Sequence, residues 1–290
     1  MRRLALILAL MFPLSQAFGH GAYHDELLRI GQELEAKPED SSLYRQRAVL
    51  HIGHEDWQAA LVDLERADRL KPDASDTHGL RGQALNLARQ WAAAQAVLNQ
   101  HLGLHPDDGE ALFQRGHARR HLGDKKAAVS DYRAAFERAG ARQTEQVAEM
   151  AEAIADLDGA AEAALFLEQV LIKAGSEPGL LQQAINLHLR CGQVDAALRH
   201  LGSLQCLMPR PEPIMARRAQ ILEQAGRHAE ARGVWTALRT HLLALPNLER
   251  GTAAMSLLLQ QADQALGLAT LVPVSAPPAA APPSYSLPKP

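Results

Sequence analysis

Histidine pairs are the feature of this 290-residue sequence whose type and spacing most readily suggest chemistry. An i, i+4 spacing on a helix lets two imidazoles reach one metal ion. No cysteine accompanies the pairs, the metalloprotease helix motif is absent, and one member, His101, falls at a predicted packing position. We therefore expect neither a metal nor another cofactor. The three pairs are His20 with His24, His101 with His105, and His117 with His121.

The sequence contains no motif typical of an enzyme. It has no glycine-rich phosphate loop and no Gly-x-Ser-x-Gly nucleophile elbow, and no strand pattern on which such motifs are usually mounted. Serine, histidine and aspartate are scattered as composition alone would place them. We therefore expect a protein without catalytic activity.

A carboxylate stripe is predicted where a basic segment meets an acidic one. Residues 109–142 carry eight basic and four acidic side chains, whereas residues 144–177 carry one basic and eight acidic. The acidic positions i, i+4, i+7 and i+11 share one helix face. Two hypotheses stay open: the stripe pairs with the basic helix before it, or it binds a basic segment of a partner. The stripe is Glu145, Glu149, Glu152 and Asp156, and the basic helix carries Arg115, His117, Arg119, Arg120 and His121.

The amino terminus has the pattern of a secretory signal. Arg2 and Arg3 precede an apolar run, and small residues follow at Ser15 and Ala17, so residues 1–17 are predicted to be removed. The apolar run is too short to span a bilayer, and no later segment is apolar enough. Without Arg2 and Arg3 the chain has 28 basic and 33 acidic side chains, a net charge of −5, which argues against nucleic acid as a partner. We expect a periplasmic or secreted protein.

An alanine repeat indicates the helices that position these residues. Six alanines recur at spacings of 34 residues, with one spacing of 35. In a 34-residue frame they occupy position twenty, with a small residue at position eight of most repeats and a large apolar residue at position twenty-four. Small residues at positions eight and twenty let two antiparallel helices approach closely. The alanines are Ala60, Ala94, Ala128, Ala163, Ala197 and Ala231.

This pattern resembles the tetratricopeptide repeat, whose length is 34 residues and whose signature is the same set of small, large and alanine positions. The resemblance implies an all-α, right-handed α-solenoid of antiparallel helix pairs. It loosens after the third repeat, where one inserted residue is needed near Gln143. The predicted repeats are 41–74, 75–108, 109–142, 144–177, 178–211 and 212–245.

Segments outside the repeats are predicted to protect the ends of the solenoid. An amino-terminal segment, 18–40, is expected to contain a capping helix, and a carboxyl-terminal capping segment, 246–270, is expected to be one long helix from Leu248 to Leu268. Residues 271–290 contain seven prolines, so a disordered tail is predicted there.

The family resemblance also implies that the first helix of each repeat lines a concave groove. Position nine of these helices is polar in five of six repeats, and such side chains can hydrogen-bond a peptide backbone. With neighbouring positions and the stripe, the predicted groove is Arg45, Gln83, Asn86, His117, Arg120, Glu149, Glu152, Gln182, Asn186 and Gln220.

These observations predict a non-catalytic scaffold or adaptor of the bacterial cell envelope that holds a protein or peptide in its groove. Two alternatives remain open. One is a periplasmic copper or zinc protein using His20 and His24, because cleavage after Gly19 would place a free amino group beside His20. The other is a structural spacer whose proline-rich tail docks elsewhere.

Overall fold

Helices account for all the regular structure of the described residues. The computed structural model describes residues 14–72, 76–139 and 144–268. The chain divides into two compact units, residues 1–193 and 194–290. None of the described helices is long and apolar enough to cross a membrane. The predicted signal peptide, the inserted residue near Gln143 and the proline-rich tail lie wholly or largely outside the described residues.

The described residues of the first unit form ten helices, one amino-terminal helix and then first and second helices in alternation. Short turns join the two helices of a pair, so they run antiparallel. The helices are α1 (Leu14–Ala36), α2 (Ser41–Gly53), α3 (Trp57–Leu70), α4 (Asp76–Leu87), α5 (Trp91–Leu104), α6 (Gly109–His121), α7 (Lys125–Ala139), α8 (Thr144–Asp158), α9 (Ala160–Ala174) and α10 (Pro178–Arg190). Among first helices, α2 contacts α4, α4 contacts α6, and α8 contacts α10, and each second helix also packs on the first helix of the next repeat.

Up to Leu268, where the described residues end, the second unit has five helices. Its core joins α12, α13 and α15 around Trp235, Leu238 and Met255. The sequence predicts a single helix after the sixth repeat, and this prediction is wrong. The chain breaks at Gly251, and the Thr252 side chain accepts a hydrogen bond from the Met255 amide, which starts a new helix. The helices are α11 (Val194–Leu207), α12 (Glu212–Gln224), α13 (His228–Ala244), α14 (Asn247–Arg250) and α15 (Ala253–Leu266).

Helix starts follow from aspartate caps. The Asp40, Asp56 and Asp108 side chains each accept hydrogen bonds from backbone amides of the helix that follows, which satisfies donors that have no partner within the helix. The turn after α6 contains Gly123 with φ +87°, a conformation that favours glycine.

The packing role of the repeat positions is confirmed. All six position-twenty alanines are at most 1% exposed, and the position-twenty-four side chains are at most 3% exposed. A Cβ at Gly82 would lie 2.4 Å from Leu98 Cγ, and one at Gly116 would lie 2.8 Å from the Tyr132 ring. Small residues at position eight therefore allow the close helix approach. The predicted fold class, an all-α solenoid of antiparallel helix pairs, is confirmed.

Candidate functional site

The junction of the third and fourth repeats brings predicted groove residues together. His117 and Arg120 lie on α6, Tyr132 on α7 and Glu149 on α8; we call these four residues the seam cluster. His117 Nδ1 donates a hydrogen bond of 2.6 Å to Glu149 Oε1, and the buried Tyr132 hydroxyl donates to the same oxygen. Arg120 lies 3.9 Å from Glu149 and 3.6 Å from Asp156. Glu149 thus pairs with the preceding basic helix, as the first hypothesis expects.

The seam cluster holds Glu149 ionised. Burial by itself would raise the pKa of the Glu149 carboxyl, but the hydrogen bond and charge of His117, together with Tyr132 and Arg120, bring the net pKa below its usual range. The pKa of Tyr132 is raised, first by burial and then by the charge of Glu149. The tyrosine is therefore a hydrogen-bond donor at every physiological pH.

An aromatic stack adjoins the seam cluster. The Trp91 ring, at the start of α5, lies parallel to the exposed His121 ring with centroids 4.0 Å apart and planes at 7°. His117 meets the same tryptophan edge-on at 5.4 Å. Burial and the nearby cations His117, Arg120 and Arg89 lower the pKa of His121, against the opposing charge of Glu149.

A chain of amide side chains continues from the seam along the first helices. Glu110 on α6 accepts hydrogen bonds from Gln83 on α4 at 3.5 Å and from Gln146 on α8 at 3.4 Å. The Asn86 amide donates to the backbone oxygen of Gln114 at 2.8 Å and to its side-chain oxygen at 2.9 Å. Asn86 Oδ1 is buried and has no hydrogen-bond partner within the described residues. The amide chain therefore links α4, α6 and α8.

The other predicted groove residues extend this layer or lie apart from it. Glu152 on α8 pairs with Arg190 on α10 at 3.2 Å. The Gln182 amide donates to Asn186 Oδ1 at 3.2 Å, and both residues are on α10. Arg45 is partly buried on α2. Gln220 is exposed on α12, in the second unit.

The histidine pairs have different surroundings. His101 is 5% exposed and donates from Nε2 to Asp108 at 2.8 Å, which confirms it as a core histidine. It borders an open pocket of about 450 Å³ shared with His105 and Asp107. His24 is exposed on α1, and His20 lies outside the residues whose side chains are described.

Ion pairs inside single repeats are a feature that the sequence reasoning missed. Asp63 is 3% exposed and binds Arg47 through two hydrogen bonds of 2.8 and 2.6 Å. Asp131 is 4% exposed and binds Arg115 in the same way, at 2.9 and 2.7 Å, and also Arg119. In both pairs the arginine is at position seven of its repeat and the aspartate at position twenty-three. An alignment of the repeats would therefore have indicated these pairs. Trp91 and Tyr132 were also missed as parts of the site, because each occupies a packing position.

Comparisons with known proteins identify the fold. No family model matches the sequence, and no curated protein matches it. The solved structure of PilF from Pseudomonas aeruginosa is 14% identical over 78% of this chain and 97% of that chain, with a TM-score of 0.53. A tetratricopeptide repeat protein from Parabacteroides merdae ATCC 43184 is 18% identical over 78% and 86%, with a TM-score of 0.49. YrrB, a TPR protein with an unusual peptide-binding site, is 17% identical over 65% and 97%, with a TM-score of 0.47.

These identities are too low to show more than the fold. The repeat positions, in contrast, are seen directly: helix pairs recur every 34 or 35 residues with buried alanine at position twenty. Small residues at position eight face large ones at position twenty-four. This chain has the tetratricopeptide-repeat fold.

Proposed function

We propose that this protein is a non-catalytic scaffold of the bacterial cell envelope that binds a protein or peptide segment along its first helices. The observation that carries the proposal is the polar layer on α4, α6, α8 and α10. All six position-nine residues are at least partly exposed, although the alanines at position twenty are buried. The layer is therefore a polar surface on a tightly packed framework.

Side-chain amides give this surface the chemistry to bind an extended chain. An amide both donates and accepts, so it can replace a hydrogen bond to a neighbour by one to a peptide backbone. Gln83 makes a contact of 3.5 Å with Glu110, which is long for a hydrogen bond and easily exchanged. Glu149, Glu152 and Asp156 on α8 already pair with side chains of neighbouring helices, so amides are the better candidates for partner contact.

Affinity capture from envelope extract tests the groove. The bait is the mature protein, compared with a variant carrying Gln83→Ala, Asn186→Ala and Gln220→Ala. The matched control carries alanine at three exposed glutamines of second helices, namely Gln58, Gln100 and Gln169. We expect the groove variant to lose the captured partner and the control to keep it. Equal recovery by both variants would place binding outside the groove.

Export is tested separately. The sequence pattern supports a mature chain that begins at Phe18. We expect amino-terminal sequencing of the periplasmic fraction to give Phe18 as the first residue. A full-length chain with Met1, found only in the cytoplasmic fraction, would contradict the envelope setting and leave the groove proposal standing.

A further inference from the structure

The end of the second and third repeats where the first helix turns into the second carries unpaired positive charge. Arg89 lies in the turn between α4 and α5, and Lys125 and Lys126 open α7. All three are exposed. Within the described part of the chain none of their side chains forms an ion pair. Trp91 and His121, which stack on each other, lie at the same end of these two repeats, and we call the five residues the basic edge.

The other described cations of the third repeat already form ion pairs. Arg115 and Arg119 bind Asp131, and Arg120 faces Glu149 and Asp156. Arg133 and Arg138 pair with aspartates on neighbouring repeats. Of the seven described lysines and arginines of this repeat, only Lys125 and Lys126 lack such a partner among the described residues. The surplus positive charge is therefore displayed at the basic edge.

The negative groups near the basic edge do not cancel this charge. Asp124 lies in the same turn, where its side chain accepts a hydrogen bond from the Ala127 amide and so caps α7. Asp156 already forms an ion pair with Arg120. Three cations against one capping carboxylate leave a local excess of positive charge. Such an excess attracts acidic segments and speeds their encounter.

The stacked rings supply the second half of a binding surface. Trp91 is only partly buried, and His121 is exposed, so the pair presents a flat, weakly polar face at the same end of the repeats as the cations. Tryptophan and arginine are the residue types most enriched at the energetic centres of protein interfaces. An aromatic side chain of a partner can stack on this face while neighbouring carboxylates meet the lysines.

We propose that the basic edge is a second interaction surface, separate from the groove, that binds an acidic protein segment containing an aromatic residue. Binding there needs no rearrangement of existing ion pairs, because its cations are not engaged. A carboxylate beside His121 would also favour the protonated ring. The pKa of His121, which burial, His117, Arg120 and Arg89 lower and Glu149 raises, then increases in the complex.

Fluorescence polarisation with a defined probe tests the proposal. The probe is a labelled peptide of about ten residues, all glutamate except one central phenylalanine, and its control has glutamine in place of glutamate. We expect the glutamate peptide to bind about tenfold more tightly than the glutamine peptide at low salt, and the difference to shrink as salt rises. Equal affinity for the two peptides, or no binding of either, would overturn the proposal.

Variants locate the binding and separate it from the groove. The double variant Lys125→Gln with Lys126→Gln is expected to lower the affinity for the glutamate peptide about tenfold. The control Lys37→Gln with Lys71→Gln removes the same charge elsewhere and is expected to leave that affinity unchanged. Trp91→Ala is expected to lower the affinity for the peptide with phenylalanine more than the affinity for an all-glutamate peptide. The groove variant should bind as the wild type does, so failure here leaves the groove proposal intact.

Two further results would overturn the assignment. An equal loss of affinity in both lysine variants would show that only overall charge matters. Tighter binding of a single-stranded oligonucleotide than of the glutamate peptide would make the surface a nucleic-acid site. A proton NMR titration of His121 gives a direct readout: its pKa is expected to rise when the glutamate peptide is bound, and an unchanged pKa would place the peptide elsewhere.

Discussion

The contact between Gly116 and Tyr132 predicts that Gly116→Ala destabilises the protein. A Cβ at Gly116 would lie 2.8 Å from two ring atoms of Tyr132 and 3.2 Å from the Ala128 backbone oxygen. The ring is fully buried and its hydroxyl is bound to Glu149, so it has nowhere to move without breaking that bond.

The size of the effect follows from three contributions. Overpacking a well-filled core costs about 1–3 kcal/mol. Weakening a hydrogen bond to a charged acceptor adds part of about 1.5–3 kcal/mol. Replacing glycine by alanine inside a helix returns about 0.5–1 kcal/mol. The expected net loss is about 2–3 kcal/mol in the free energy of unfolding, measured by urea denaturation followed by circular dichroism.

Gly103→Ala is the matched control, because a Cβ at this exposed glycine of α5 would meet nothing within 4 Å. It should leave stability unchanged or raise it by about 0.5 kcal/mol. Combining Gly116→Ala with Tyr132→Phe separates ring displacement from the lost hydrogen bond. The two changes should couple by about 1 kcal/mol, because both act on the bond to Glu149. If the Gly116→Ala variant were as stable as the Gly103→Ala variant, the reasoning would be refuted.

Two other predictions concern charged groups of the first unit. Asp131→Asn should cost about 3 kcal/mol in the free energy of unfolding, because it leaves the largely buried Arg115 without a charged partner. Glu65→Gln, at the exposed pair with Arg69 on α3, should not change the urea midpoint. Glu149→Gln should cost about 2 kcal/mol at pH 7. Because the pKa of Glu149 is lowered on folding, its stabilisation is present above pH 4.5 and fades as pH falls through the folded pKa. A wild-type advantage that is the same at pH 3 as at pH 7 would contradict the assignment.

The sequence predicted the framework well because packing imposes a strict period. The alanine at position twenty is buried in every repeat, so its recurrence marks each helix pair directly. Breaks within an apolar pattern are harder to predict. Gly251 and Thr252 interrupt the carboxyl-terminal helix through a cap that depends on the Thr252 side chain reaching the Met255 amide. Periodicity contains no information on whether the helix continues or the Thr252 side chain caps a new one.

The site was predicted only in outline. Helical spacing places Glu149 and Asp156 on one face of α8, but it does not determine which side chain of α6 reaches them. That choice depends on the lateral offset of the two helices, about which helical spacing contains no information. Tyr132 therefore escaped notice: its position predicts packing, and its hydroxyl becomes part of the site only through the fold.

The pairing of the carboxylate stripe bears on which partner each surface prefers. Glu149 and Asp156 both face Arg120, and Glu152 pairs with Arg190, so a basic segment entering the groove would have to displace one of these arginines. The net gain is then the difference between two similar ion pairs, which is small. Groove binding should therefore depend on amides and vary little with salt. Binding at the basic edge uses cations that are not engaged and should weaken steeply as salt rises. The salt dependence of a captured partner thus tells which of the two surfaces holds it.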